Sequence, residues 1–206
     1  MAEIRLAESE EERLEVYRFR YSVYVDEMGL NESYADHARK IIRDPLDGPQ
    51  SLLLAAWDGG RVVGTTRTNL IRDGGFGRYL EYYRLLGQSV DELQDTSIST
   101  RIMIHPAFRR TPLTVRLTCV CFRWMLDQGV KTDFCDCVPV VVPFFSGLGY
   151  HVQFADFIHP EFGGEPGSVM RLDALDLDHL IQVRSPLRRV LSAWQALGQP
   201  AAAVDA

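Results

Sequence analysis

Four cysteines and five histidines are the side chains in this sequence with the widest chemical range. A thiolate can attack a thioester or bind zinc, and an imidazole can act as its base. The spacing supports neither use. Cys119 with Cys121 and Cys135 with Cys137 form Cys-x-Cys pairs, whereas zinc pairs usually have about two to four residues between them. No histidine is placed near Cys135 and Cys137, so buried reduced thiols are expected rather than an acyl-cysteine or a metal site. His105 precedes Pro106 at a strand end and fits a turn better than a base, and His151 and His159 lack any chemical context.

Charged side chains offer a second route. The formal net charge of -6 argues against bulk nucleic-acid binding, because phosphate recognition needs an excess of Lys and Arg on some face. Locally the balance differs. Arg101, Arg109, Arg110, Arg116 and Arg123 fall in one stretch, and Arg184, Arg188 and Arg189 in another. These read either as solvated surface or as a positive patch for an anionic partner. Acidic residues recur in Asp44-Pro45-Leu46-Asp47-Gly48-Pro49, a run of turn formers in a loop of the kind that often carries function.

The elements that must position these groups follow from pattern. A chain of 206 residues with 46% hydrophobic content can bury one core, so residues 1–198 are expected to form one domain, with a disordered tail over 199–206. No apolar run reaches the ~20 residues of a membrane span, and the acidic start lacks signal-peptide features, which predicts a cytoplasmic protein. Glu3–Ala7 reads as a strand. Ser9 and Glu12 form a capping box that opens a long helix through Met28, ended by Gly29. Asn31–Ile42 is polar and aperiodic and, with the turn formers after it, reads as a substantial loop or broken helix linking helix to sheet. Ser51–Trp57 and Arg61–Leu70 flank Asp58-Gly59-Gly60 as a hairpin, and Ser97–Ile104 is a central strand stopped at His105-Pro106.

Beyond it, Thr111–Gln128 has helical periodicity and Gly129 sits where a helix C′ residue belongs. A short helix near Arg78–Leu86, a strand at Phe134–Val142, a helix at Pro143–Leu148, strands at Tyr150–Phe157 and Ser168–Leu172, and a helix at Pro186–Leu197 complete the reading. Hairpins mixed with strand-helix-strand units give an α/β class with a mixed twisted sheet between helical layers.

Five segments, in order, resemble one known family. Tyr17–Gly29, with Arg20 and Tyr24, is similar to the first-helix signature of the acyl-homoserine-lactone and N-acyl amino acid synthases. Asp44-Pro45-Leu46-Asp47 resembles the family's paired acidic residues, Gly64-Thr65-Thr66-Arg67 its Gly-x-x-Arg, and Ser99-Thr100-Arg101 its Ser-Arg strand. Phe144-Phe145-Ser146-Gly147-Leu148-Gly149-Tyr150 is similar to the aromatic-x-x-Leu-Gly-aromatic turn common among GNAT enzymes. Three departures accompany it. Ile98 stands where the family usually has Glu, and Leu30 where it has an aromatic residue. Arg109-Arg110-Thr111-Pro112 replaces the Gly-rich turn that cradles the coenzyme A pyrophosphate.

The resemblance implies a GNAT-like, three-layer α-β-α acyltransferase with no bound cofactor and an acyl-phosphopantetheine thioester as co-substrate. Pro112 and the missing glycines favour an acyl carrier protein over coenzyme A, with Arg109, Arg110 and Thr111 at the phosphopantetheine phosphate. Asp44, Asp47, Arg101 and Tyr150 become catalytic candidates. Arg20, Tyr24, Arg67 and the backbone of Ile102 and Met103 become substrate-binding ones, with the two N–H groups as oxyanion donors. Asp44 or Asp47 would take the amine proton if its pKa were raised toward neutrality, and Tyr150 would protonate the leaving thiolate. The same charged residues can equally be structural ion pairs. Three functions remain open: N-acyl transfer to an amino acid, amine or peptide; lactone synthesis from S-adenosylmethionine; and non-catalytic binding on a degenerate scaffold.

Overall fold

The computed structural model describes residues 1–74, 76, 79–158 and 166–198. The chain enters through strand β1 (Glu3–Leu6) and helix α1 (Glu10–Tyr21), and Ser9 and Glu12 make the expected capping box. From Ser22 to Glu27 the helix widens into a π-helix rather than running on as α-helix to Met28. Met28 N–H reaches back to the Val23 carbonyl at 3.0 Å, and Gly29, at φ 66°, ends the turn. The segment expected to be a loop holds two short strands, β2 (Ala35–Asp36) and β3 (Ile41–Ile42), paired antiparallel.

Strands β4 (Leu52–Asp58) and β5 (Arg61–Leu70) form the predicted hairpin. Short helices α2 (Tyr79–Tyr82) and α3 (Val90–Leu93) lead to β6 (Thr96–Ile104) and α4 (Leu113–Asp127). Strand β7 (Thr132–Cys137) stops five residues before the expected Val142, because Pro139 opens a 3-10 turn that feeds α5 (Val142–Leu148). Strands β8 (His151–Ile158) and β9 (Pro166–Asp173) and helices α6 (Leu177–Gln182) and α7 (Leu187–Ala196) follow. The expectations for Arg78, His159 and the tail from Gln199 lie outside the described residues.

The strands hydrogen-bond in the order β1-β4-β5-β6-β7-β9-β8, a mixed sheet in which β6 and β7 are parallel and β7 and β9 antiparallel. Chain contacts group into two compact units. One comprises Met1–Asn69 and Ser99–Thr118, the other Leu70–Ile98, Cys119–Phe157 and the residues from Pro166. In the first unit, α1 buries Val16, Tyr17 and Phe19 with Leu53, Ala55 and Trp57 from alternate positions of β4, one face of the sheet. Gly64 has a packing reason: a Cβ there would lie 2.8 Å from Ile104 Cδ1. In the second unit Gly149, at φ 107°, ends α5 against Leu180.

Candidate active site

The first unit buries a chain of six charged side chains. The turn that carries Asp44 and Asp47 is self-bonded: Asp44 N–H donates to Asp47 Oδ2 and Leu46 N–H to Asp44 Oδ1, each at 2.9 Å. Asn69 Nδ2 fastens the turn to the end of β5 through the Leu46 carbonyl, also at 2.9 Å. Arg20, from the last turn of α1, places Nη1 2.8 and 2.7 Å from the two Asp47 oxygens. Arg67, from β5, donates Nη1 to Asp44 and to Asp47, the latter at 3.1 Å. Its Nε and Nη2 donate to Thr100 Oγ1 at 3.1 and 2.9 Å.

Arg101 closes the chain. Nε and Nη2 donate to Asp44 Oδ2 at 3.2 and 2.9 Å, while Nη1 and Nη2 grip both oxygens of Glu32 at 3.1 Å. Its guanidinium carbon lies 5.2 Å from the Tyr24 ring centroid. Arg101 sits at φ 57° within β6, a left-handed position that costs a non-glycine residue about 1–3 kcal/mol. The two carboxylate anchors offset that strain and fix the kink. The β6–β7 register runs from Thr96↔Thr132 only to Ile98↔Phe134, three residues before it.

Burial decides the electrostatics. Arg20 and Arg67 are 0% exposed, Asp47 2%, Glu32 3%, Asp44 4% and Arg101 6%. Burial alone would raise the carboxyl pKa values. The guanidiniums win: Arg67 and Arg101 hold Asp44 below its ordinary value despite the nearby Asp47 charge, and Arg20 and Arg67 hold Asp47 far below it. This reverses the expectation of a pKa raised toward neutrality, and neither carboxylate is poised as a base. Burial pushes Tyr24 up, so its phenol stays protonated; burial would lower Arg101, but the Asp44 and Glu32 carboxylates hold it above its ordinary value.

Other predicted residues lie elsewhere. Met103 packs in the α1 core, and Ile102 is half-buried. Arg109 grips Glu27 with both terminal nitrogens, at 2.6 and 2.7 Å, and donates Nε to the Ile104 carbonyl at 2.9 Å. Arg110 is exposed, and Thr111 Oγ1 receives Leu113 N–H at 3.3 Å, capping α4. In the second unit, Tyr150 donates its phenol proton to Asp133 Oδ2 at 2.6 Å, and Ser97 donates to the other oxygen. Burial, with the Asp133 charge, pushes Tyr150 well above the usual phenol range. Burial also raises Cys119, lifts Cys135 well above the usual range, and pushes Cys137, beside Asp136, up to about 12. None of these three is an activated nucleophile. No described cluster of His, Cys, Asp and Glu could hold a metal ion.

Sequence reasoning missed Glu32 and Thr100 as members of the ion network. Glu32 lies in a polar, aperiodic segment, and no local pattern marks one acid there as buried. Thr100 adjoins Arg101 in β6, and its hydroxyl accepts from Arg67 of the neighbouring strand β5, a pairing that neither residue's local pattern announces.

The mixed sheet, the kinked β6 and the buried cluster define a GNAT-like acyltransferase. A family model for the N-acyl amino acid synthase FeeM matches residues 15–173, and the chain belongs to that family. All six cluster residues fall inside the match. Among solved structures it is similar to BjaI, a CoA-dependent acyl-homoserine lactone synthase, with TM-score 0.67 and 18% identity over 94% of this chain and 98% of that one. The structure of FeeM, an N-acyl amino acid synthase from uncultured soil microbes, gives 0.64 and 14% over 92% and 97%. Escherichia coli ElaA gives 0.58 and 15% over 84% and 99%. No curated protein sequence matches the chain. No described helix is long and apolar enough to cross a membrane.

Proposed function

We propose that this acyltransferase moves a fatty acyl group from a phosphopantetheine thioester, on acyl carrier protein or coenzyme A, to the nitrogen of an amino acid, amine or peptide. One observation carries the reading. Arg20, Asp44, Asp47, Arg67 and Arg101, through which four scattered segments resemble the family, meet in one buried network at the kink of β6.

In this reading the Ile102 or Met103 N–H, just past the kink, stabilises the thioester oxyanion. Asp44 and Asp47 act by holding Arg67 and Arg101, and hence the kink, rather than by removing protons. The acceptor reacts as the neutral amine. Tyr150 protonates the thiolate only by giving up its bond to Asp133. Arg110 and the capped start of α4 meet the phosphopantetheine phosphate. Arg109 joins them when it releases Glu27. Pro112 supplies no N–H at that helix start, which supports the carrier protein as donor. The chemistry calls for a soluble, cytoplasmic setting where acyl thioesters are made.

Lactone synthesis is the second reading, favoured by the likeness to a lactone synthase fold. Against it, Ile98 is fully buried in the β6–β7 ladder where the family usually has Glu.

Mass spectrometry of the purified protein with acyl carrier protein and acyl-coenzyme A donors, amines, amino acids and S-adenosylmethionine separates these outcomes, with thiol release followed in parallel. A new amide, lost in Arg101→Ala and Asp47→Ala variants that remain folded, is the expected product. A lactone would promote the second reading, and no turnover with any donor would leave a binding scaffold.

A further inference from the structure

A buried arginine can hold an acceptor's carboxylate only through edges that the protein leaves open. In the cluster the edges of Arg67 and Arg101 are taken. Glu32 occupies the Nη1–Nη2 fork of Arg101, and Asp44 takes the Nε–Nη2 edge. Arg67 divides its donors among Asp44, Asp47 and Thr100. Arg20 gives Nη1 to Asp47, and its Nε and Nη2 lack partners among the described residues. Those two donors belong to a side chain with 0% exposure, stacked 5.4 Å from the Tyr17 ring, and are sealed from a ligand.

Charge gives the same result. Three guanidiniums face three carboxylates, so the network is neutral as it stands. An amino acid's carboxylate would enter as a fourth anion with no guanidinium edge to bind, losing water without gaining a partner. A neutral amine brings no such charge. Glu32 is the member that a substrate carboxylate would otherwise replace, because its two-oxygen grip on Arg101 is the geometry an α-carboxylate uses. It also comes from a segment with no helix or strand, between Gly29 and β2, where its carbonyl accepts Ala35 N–H at 3.0 Å.

We propose that Glu32 determines acceptor specificity: by filling the Arg101 fork, it restricts the acceptor to an amine whose neighbouring carboxylate is absent or masked. The acceptor class is then a primary amine, an amino-acid amide or ester, or a peptide N-terminus. This rests on the acyl-transfer reading above and on Arg101 bordering the acceptor.

The test uses the full chain and one acyl thioester donor, with phenethylamine, phenylalanine amide and phenylalanine as matched acceptors. Values of kcat/KM are compared between the native protein and Glu32→Gln at one pH, so that differences in amine basicity cancel in the ratio. The native protein is expected to favour phenethylamine and the amide over phenylalanine by about tenfold or more. Glu32→Gln narrows that ratio, chiefly through a lower KM for phenylalanine.

Equal or better turnover of phenylalanine by the native protein overturns the assignment, as does a ratio unchanged in Glu32→Gln. Melting curves show whether the variant is folded. If it is not, the native acceptor series decides alone, since phenethylamine is the more basic amine and gains nothing from basicity. Failure to acylate any acceptor removes the acyl-transfer reading itself, whereas turnover with the wrong preference removes only the role of Glu32.

Discussion

The two compact units each bury carboxylates, and they satisfy them in opposite ways. Asp44, Asp47 and Glu32 face three guanidiniums, whereas the described partners of the fully buried Asp133 include the hydroxyls of Tyr150 and Ser97. Burial works against ionisation, yet the guanidiniums lower the pKa of Asp44 and Asp47. At Asp133 the carboxylate instead raises its neighbours, with burial as the larger cause for Tyr150 and Cys135. The first arrangement is suited to keeping charge in place, the second to keeping protons in place. The cluster thus holds Asp44 and Asp47 ionised, whereas in the second unit Tyr150 keeps its proton beside the buried Asp133.

Breaking the first arrangement should have the larger effect. Arg101→Ala leaves Glu32 and Asp44 buried with fewer cations and should cost about 3–5 kcal/mol, read from urea unfolding. A loss below about 1 kcal/mol would mean that water already reaches the cluster. Acid titration sharpens the contrast. Asp44 and Asp47 have folded pKa values below the unfolded carboxyl value of about 3.9. Their contribution is therefore complete above that value and is lost as pH falls through the folded values. The melting temperature should be flat from neutrality to about pH 5 and drop below about pH 4, and a drop already at pH 6 would contradict the assigned direction. Tyr150→Phe is the smallest change. It removes one hydroxyl from Asp133 and should cost about 1.5–3 kcal/mol at neutral pH, read from urea unfolding. If thiol release also slows by more than the stability loss explains, Tyr150 acts as the acid for the thiolate.

Much of this was legible in the sequence because it is local. The Ser9–Glu12 box, the Asp58-Gly59-Gly60 turn and the halt of β6 at Pro106 are short-range signals, and each falls where expected within a residue or two. What failed was also physical. Gly29 marks the end of the first helix, but nothing in Ser22–Glu27 announces the change to π spacing. The aliphatic run to Val142 reads as strand until Pro139 removes an N–H and turns the chain. The positive φ of Arg101 was invisible, since that conformation usually selects Gly or Asn and is here held by distant carboxylates. Glu32 meets Arg101 across 69 positions, a pairing that no window on the sequence contains.

That separation bears on how the chain folds. Partners 27 and 69 residues apart must pay loop-closure entropy before their attraction returns anything. An incomplete network strands desolvated ions, so the six side chains stay hydrated until α1, the Asp44–Asp47 turn, β5 and β6 are all in place. Closure of the cluster is then a late event in folding. Substitutions within it should accelerate unfolding far more than they slow refolding, and the cluster sets the lifetime of the native state.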